Sequence, residues 1–263
     1  MGLLTPKCPI ADRERDWIHE RMAWLRGQFG DGPLSAPVVL PTSEYFPPPY
    51  SGSDADIRAV VVTVAGFMGV RERVEVEFSS DIDHMQNLAR LTAGGPIRYG
   101  GAAGTYSRAD RKGRHVITLD RANAGQSDPL IAVIAHELGH LRLLGEHKIK
   151  PGRPDSEPLT DLVTVYLGMG VFTANASFSF RQFTGTGTQG WRAQRLGYLT
   201  EQMLGYALAC YAVLRGEPDP PWAKYLDTNP RAYMKHGVRY LRHAAADGSI
   251  PRPAATGEAI DLA

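Results

Sequence analysis

Two histidines and a glutamate stand in the order His136-Glu137-Leu138-Gly139-His140, an HExxH pattern. Four residues advance an α-helix by about 400°, so on a helix the two imidazoles lie one turn apart on one face. There both can bind one metal ion, and Glu137 stands to the side, with its carboxylate in reach of a water on that ion. The surrounding stretch 130–145, LIAVIAHELGHLRLLG, is apolar nearly all round and predicts a buried helix. Such a helix must find partners for two imidazoles and a carboxylate, because unpaired buried polar groups are costly, and a metal ion would satisfy all three. The plainer alternative is a helix whose histidines bond only to carbonyls.

A catalytic zinc site commonly has three protein ligands, so two histidines leave one to be found. The extension that would add a third histidine fails: Leu143 stands where that pattern needs glycine and Glu146 where it needs histidine, which excludes a metzincin. Instead Glu157-Pro158-Leu159-Thr160-Asp161 begins 17 residues after His140. HELGH followed by ExxxD resembles the gluzincins, zinc metallopeptidases in which a glutamate on the next helix is the third ligand and a residue four positions later braces the first histidine. The resemblance covers residues 116–167, roughly a fifth of the chain, and extends in a general way to bacterial proteins that carry HELGH and then EPLTD. It implies Zn²⁺ held by His136, His140 and Glu157, Asp161 bracing His136, and Thr160 at a position where a small residue often stands.

The same resemblance implies an activity: hydrolysis of a peptide or protein substrate by a zinc-activated water, with Glu137 as general base that then passes the proton to the leaving amine. Pro158 departs from the pattern, since it sets Glu157 at the very start of the helix. Asp161 as the third ligand therefore stays open. His147, Tyr166, Tyr198, Tyr206, His236 and His243 are candidates for stabilising an oxyanion, and spacing selects none of them. The alternative function is a zincin-like regulatory or protein-interaction module, whose metal site is non-catalytic or needs a partner. A third possibility, a coincidental motif in a structural protein, predicts no bound metal.

The elements that would position these residues follow from periodicity. Residues 12–29 read as an amphipathic helix with Trp17, Ile18, Met22, Leu25 and Phe29 at spacings of three and four, and 38–50 as a proline-rich ordered loop. A helix is expected over 54–68, and strands over 73–78 and 115–119; by the resemblance, the second strand is the sheet edge on which a peptide substrate would lie. The glycines of 94–104 mark turns and an exposed edge. The HExxH helix is expected over 128–144, opened by Asp128 and Pro129 and capped by Gly145. Further helices are expected over 158–171, 194–215 and 230–245. Residues 175–190 read as a long loop, open between a lid and a plain surface loop. The fold class is α+β, zincin-like: a small twisted mixed sheet packed on the buried HExxH helix, with a mainly helical C-terminal half. One domain is expected, with a helical N-terminal segment 1–35, a sheet and metal-site core at about 55–172, a helical half 190–246 and a mobile tail 247–263.

Composition removes other classes. With 29 Lys plus Arg against 28 Asp plus Glu, the net charge is +1, so no field draws the chain to nucleic acid. No apolar run reaches the length of a membrane span, and the N-terminus lacks the apolar core of a leader. Cys8 and Cys210 form no paired motif, which argues against a cysteine metal site and points to the cytoplasm. Nothing in the pattern sets an oligomeric state.

Overall fold

A computed structural model describes residues 6–79, 98–99, 104–107, 114–125, 127–183 and 199–247. Helix α1 (Asp12–Phe29) begins with the Glu14 carboxylate accepting from the Ala11 N–H, and it buries Ile18, Met22 and Leu25. After the short α2 (Gly32–Ser35) the proline-rich segment crosses the surface as an ordered strap. Its Val39 N–H donates to the Gly168 carbonyl, Phe46 packs edge-on against Phe67 and Phe172, and the Tyr50 hydroxyl donates to the Ala124 carbonyl. Helix α3 (Asp54–Phe67) starts at Ser53, which exchanges capping hydrogen bonds with Asp56.

Among the described residues the chain is mixed α and β, mainly helical, with a small mixed sheet. Its strands are β1 (Val74–Ser79), β2 (Arg98–Tyr99), β3 (Gly104–Ser107) and β4 (His115–Asp120), in the order β1-β4-β3-β2. β1 runs parallel to β4, with Val74 opposite His115 and Ser79 opposite Asp120. β3 is antiparallel to both β4 and β2. The strand at 115–120 is therefore an inner strand, not the substrate-accepting edge expected of it. Its composition explains this: Ile117, Thr118 and Leu119 are all buried, as a strand covered on both faces requires.

A 3₁₀ turn (Arg121–Gly125) leads from β4 into α4 (Ser127–His140), on which every residue from Leu130 to His140 is buried. This helix touches α3, β3 and β4. The α-helical hydrogen bonding stops at His140, four residues earlier than expected, and a wide π turn (Leu141–Gly145) takes over, closed by the Glu146 N–H donating to the Leu141 carbonyl. Gly145 is there for space and not as a left-handed cap: a Cβ on it would lie 2.7 Å from the Tyr106 hydroxyl and 3.1 Å from His115 Cε1. The left-handed residue is His147, at φ 59°.

Helix α5 (Ser156–Tyr166) ends at Gly168, φ 86°, and α6 (Gly170–Phe183) follows at once. One helix to 171 and a loop from 175 are thus replaced by two helices, and the described part of that loop, through Phe183, is helical. The Thr and Gly residues that suggested a loop lie at 184–190; over 171–177 packing decides, because Val171, Phe172, Ala174 and Ala176 are buried on a helix that lies against α4 and α5. Residues 184–190 of that stretch, and the tail from 248, lie outside the described residues.

Helices α7 (Glu201–Leu214) and α8 (Thr228–Ala246), joined through a 3₁₀ turn (Pro221–Tyr225), pack closely on each other. Gly205 and Gly237 permit the approach, since a Cβ would meet Tyr233 Cβ at 2.5 Å and Ala209 Cβ at 2.8 Å, respectively. Among the described residues, buried apolar side chains from all eight helices and from three of the strands form one cluster. Among the described residues, no helix is long and apolar enough to cross a membrane.

Candidate metal centre

The centre is built where α4 and α5 meet. Gly139, the residue before the second histidine, faces α5: a Cβ at this position would lie 2.9 Å from Thr160 Cγ2 and 3.2 Å from Val163 Cγ1. The absence of that atom lets the first turn of α5 close on the histidine face of α4. At the same N-terminal end, α5 is also tied to α1. Asp155, just before α5, accepts hydrogen bonds from Trp17 Nε1 at 3.1 Å and Arg21 Nε at 3.0 Å, and it also pairs with Arg153.

The His136 and His140 rings stand nearly perpendicular, 4.8 Å apart. Their Nδ1 atoms face α5: His136 Nδ1 is 2.9 Å from Asp161 Oδ1, and His140 Nδ1 is 3.2 Å from Thr160 Oγ1. Their Nε2 atoms face Glu157, whose Oε2 is 3.2 Å from the first and 3.4 Å from the second. One ligand atom from each of His136, His140 and Glu157 thus falls within 4.8 Å of the others. His140 is fully buried, His136 nearly so, and Glu157 is the most exposed of the three, at 24% of its side chain.

Glu137 lies beside this group, against β3. A Cβ on Gly104 would be 3.2 Å from its Oε1, and the Tyr106 N–H donates to its carboxylate. Its other oxygen, Oε2, is buried and has no hydrogen-bond partner among the described residues. Tyr106 also stacks on His140, with planes 12° apart, and its hydroxyl lies 2.8 Å from His115 Nδ1.

Burial works against charge throughout this cluster. For Glu157 the His136 and His140 imidazoles facing its Oε2 outweigh it and hold the carboxyl well below the usual range. For His136 the bonds to Asp161 and Glu157 outweigh it, and the imidazole keeps its proton well above the ordinary histidine range. Burial prevails for His140, which is lowered, and for Glu137, whose carboxyl is pushed up to about 8. The cluster is thus a buried anionic pocket that favours a positive charge at the point where the three ligand atoms meet. Two imidazole nitrogens and a carboxylate oxygen are donors suited to Zn²⁺, and the unpartnered Glu137 Oε2 supplies a buried acceptor beside them. The residues present fit a metal ion.

Several residues singled out in the sequence fall elsewhere. Asp161 has both oxygens engaged away from the Nε2 atoms: Oδ1 on His136 Nδ1, and Oδ2 accepting from the Leu199 N–H at 2.9 Å. It does not join the three-atom group, which counts against its being the third ligand. Among the oxyanion candidates, the Tyr166 hydroxyl donates to the Gly30 carbonyl, Tyr206 bonds to His19, and His243 pairs with Asp247. His147 is exposed, His236 is half-buried on α8, and Tyr198 lies outside the described residues. Three contributors had no sequence signal: Tyr106, Leu199 and the hydroxyl of Thr160 all reach the site through tertiary contacts. Among the described residues, no fourth side chain joins His136, His140 and Glu157.

No family model, no curated protein and no solved structure matches the chain.

Proposed function

We propose that this protein is a zinc-dependent metallopeptidase of the gluzincin type, with a zincin-like fold, that hydrolyses peptide bonds in a peptide or protein substrate. The observation that carries the reading is the convergence of His136 Nε2, His140 Nε2 and Glu157 Oε2, with the Glu137 carboxylate alongside. Bound zinc would supply Lewis acidity, polarising a scissile carbonyl and lowering the pKa of a water at its open position. The chain's own residues divide the remaining work. His136, His140 and Glu157 hold the ion. Asp161 fixes the His136 ring through Nδ1. Glu137, held against β3 by the Tyr106 N–H, takes a proton from the attacking water and returns it to the leaving amine. A catalytic zinc keeps an open coordination position, which turnover needs and a purely structural zinc site lacks. Both cysteines are free, which supports a cytoplasmic location.

The test is metal analysis of the purified protein beside His140→Ala and Glu157→Gln variants, followed by digestion of a broad peptide library. The reading requires about one zinc per chain, lost or weakened in both variants, and cleavage that a chelator abolishes. Absence of zinc from the wild-type protein at neutral pH would overturn it. Zinc without cleavage would instead favour the non-catalytic module.

A further inference from the structure

We propose that Thr160 is a positioning residue for the metal centre: its hydroxyl locks His140 in the tautomer that carries its proton on Nδ1 and turns the Nε2 lone pair toward Glu157. A hydroxyl has one proton. Thr160 Oγ1 lies 2.8 Å from the Ser156 carbonyl oxygen, which can only accept, so that proton is committed there. The remaining contact of Oγ1, 3.2 Å from His140 Nδ1, must then be one in which the hydroxyl accepts and the imidazole donates. Thr160 and His140 are both fully buried, which leaves no exchange with bulk water to relax the choice.

Back-bonding of a helical threonine to the carbonyl four residues earlier is common, and by itself it says nothing of function. Its consequence here comes from the second contact. With Nδ1 protonated, His140 Nε2 presents a lone pair to Glu157 Oε2 at 3.4 Å, two acceptors facing each other inside the protein. That arrangement is unfavourable unless a cation lies between them. Thr160 therefore does for the second histidine what Asp161 does for the first: successive residues of α5 each hold one imidazole by its Nδ1 and present its Nε2 to one point. Threonine does this without adding a further negative charge to a pocket that already holds Glu157 and Asp161.

The tautomer assignment stands on hydrogen-bond chemistry alone; its effect on metal affinity rests on the zinc reading above. The experiment compares wild-type protein with Thr160→Val, which keeps the shape and removes the acceptor, and Thr160→Ser, which keeps the acceptor. Long-range ¹H–¹⁵N spectra of histidine-labelled, metal-free protein report the tautomer, and zinc affinity is measured by competition with a chromophoric chelator. The expected result is an Nδ1–H signature for His140 in the wild-type and Thr160→Ser proteins, lost in Thr160→Val. Zinc binding should weaken by about 10- to 100-fold in Thr160→Val and recover to within about threefold of wild type in Thr160→Ser. A wild-type His140 protonated on Nε2, or a Thr160→Val protein that binds zinc as tightly as wild type, overturns the proposal. If wild-type protein takes up no zinc, the zinc reading fails, and the spectra alone then decide the role of Thr160. Should Thr160→Val fail to fold, Thr160→Ala replaces it in the same comparison with Thr160→Ser.

Discussion

Gly139→Ala separates the geometry of the centre from the stability of the helices that carry it. The new methyl carbon would sit 2.9 Å from Thr160 Cγ2, 3.2 Å from Val163 Cγ1 and 3.3 Å from the Thr160 carbonyl oxygen. Carbon atoms pack best at about 3.5–4.0 Å, so α5 must retreat by roughly half an ångström or more at this point. Overpacking of this kind costs about 1–3 kcal/mol, and replacing a helical glycine by alanine returns about 1 kcal/mol, so the net loss of stability is about 0–2 kcal/mol. The effect on the metal should be larger. Metal–ligand distances tolerate only about 0.2 Å, and Glu157, Thr160 and Asp161 all ride on the helix that moves. Zinc affinity should therefore fall by about tenfold or more, as when a bracing contact is lost. The assay is chelator competition for zinc, paired with urea unfolding of the metal-free protein. Gly27→Ala is the control: it lies on α1 with no atom within 4 Å of an added Cβ, so it should gain about 0.5–1 kcal/mol and leave zinc binding alone. A Gly139→Ala protein with unchanged zinc affinity would refute the claim that the close approach of α4 and α5 sets the ligand geometry.

Three further outcomes are expected. Asp161→Asn offers one carbonyl oxygen to two donors, His136 Nδ1–H and the Leu199 N–H, so it should weaken zinc binding by about 10- to 100-fold in the same assay and destabilise the metal-free protein by about 1–3 kcal/mol. The Asp155 carboxyl is opposed by burial, yet Arg153, Trp17 and Arg21 hold it at about 2. Its stabilising contribution is therefore present above the unfolded carboxylate value of about 4 and is lost as pH falls from there toward 2; Asp155→Ala should cost about 1–2 kcal/mol at neutral pH and flatten the unfolding profile in that window. His136 keeps its proton above the ordinary histidine range in the metal-free protein, so zinc must displace that proton at neutral pH. Affinity should rise with pH by up to about tenfold per unit until the metal-free imidazole deprotonates, and calorimetry in buffers of different ionisation heat should register the released proton.

The histidine pair was legible because helical period alone puts residues four apart on one face, and a buried capped helix leaves few other uses for them. Glu157 was legible only as a spacing, since its nearness to both Nε2 atoms depends on how far α5 can approach Gly139, a property of packing. The roles of Asp161 and Thr160 divide on the same ground: neighbouring residues point at different histidines because a helix turns about 100° between them. Placing the strand at 115–120 on the sheet edge erred even though its apolar run already suited an inner strand, because its parallel partner, β1, lies far away in sequence. Asn175 to Phe183 read as loop by composition, and the helix there continues from Val171, Phe172 and Ala174, which are buried on a helix against α4 and α5, a packing that local propensity cannot register. The π turn after His140 had no sequence signal at all, and neither did the closeness of Tyr106 and His115 that leaves no room for a side chain at Gly145.

The central claim is that Glu137 acts as the base at a zinc site built by His136, His140 and Glu157. It is tested most directly by the rate of peptide-library cleavage by wild-type and Glu137→Gln proteins loaded to the same zinc occupancy. Because Glu137 is outside the ligand set, the variant should keep its zinc and lose activity by about 10²- to 10⁴-fold. Equal cleavage by both zinc-loaded proteins would contradict the account.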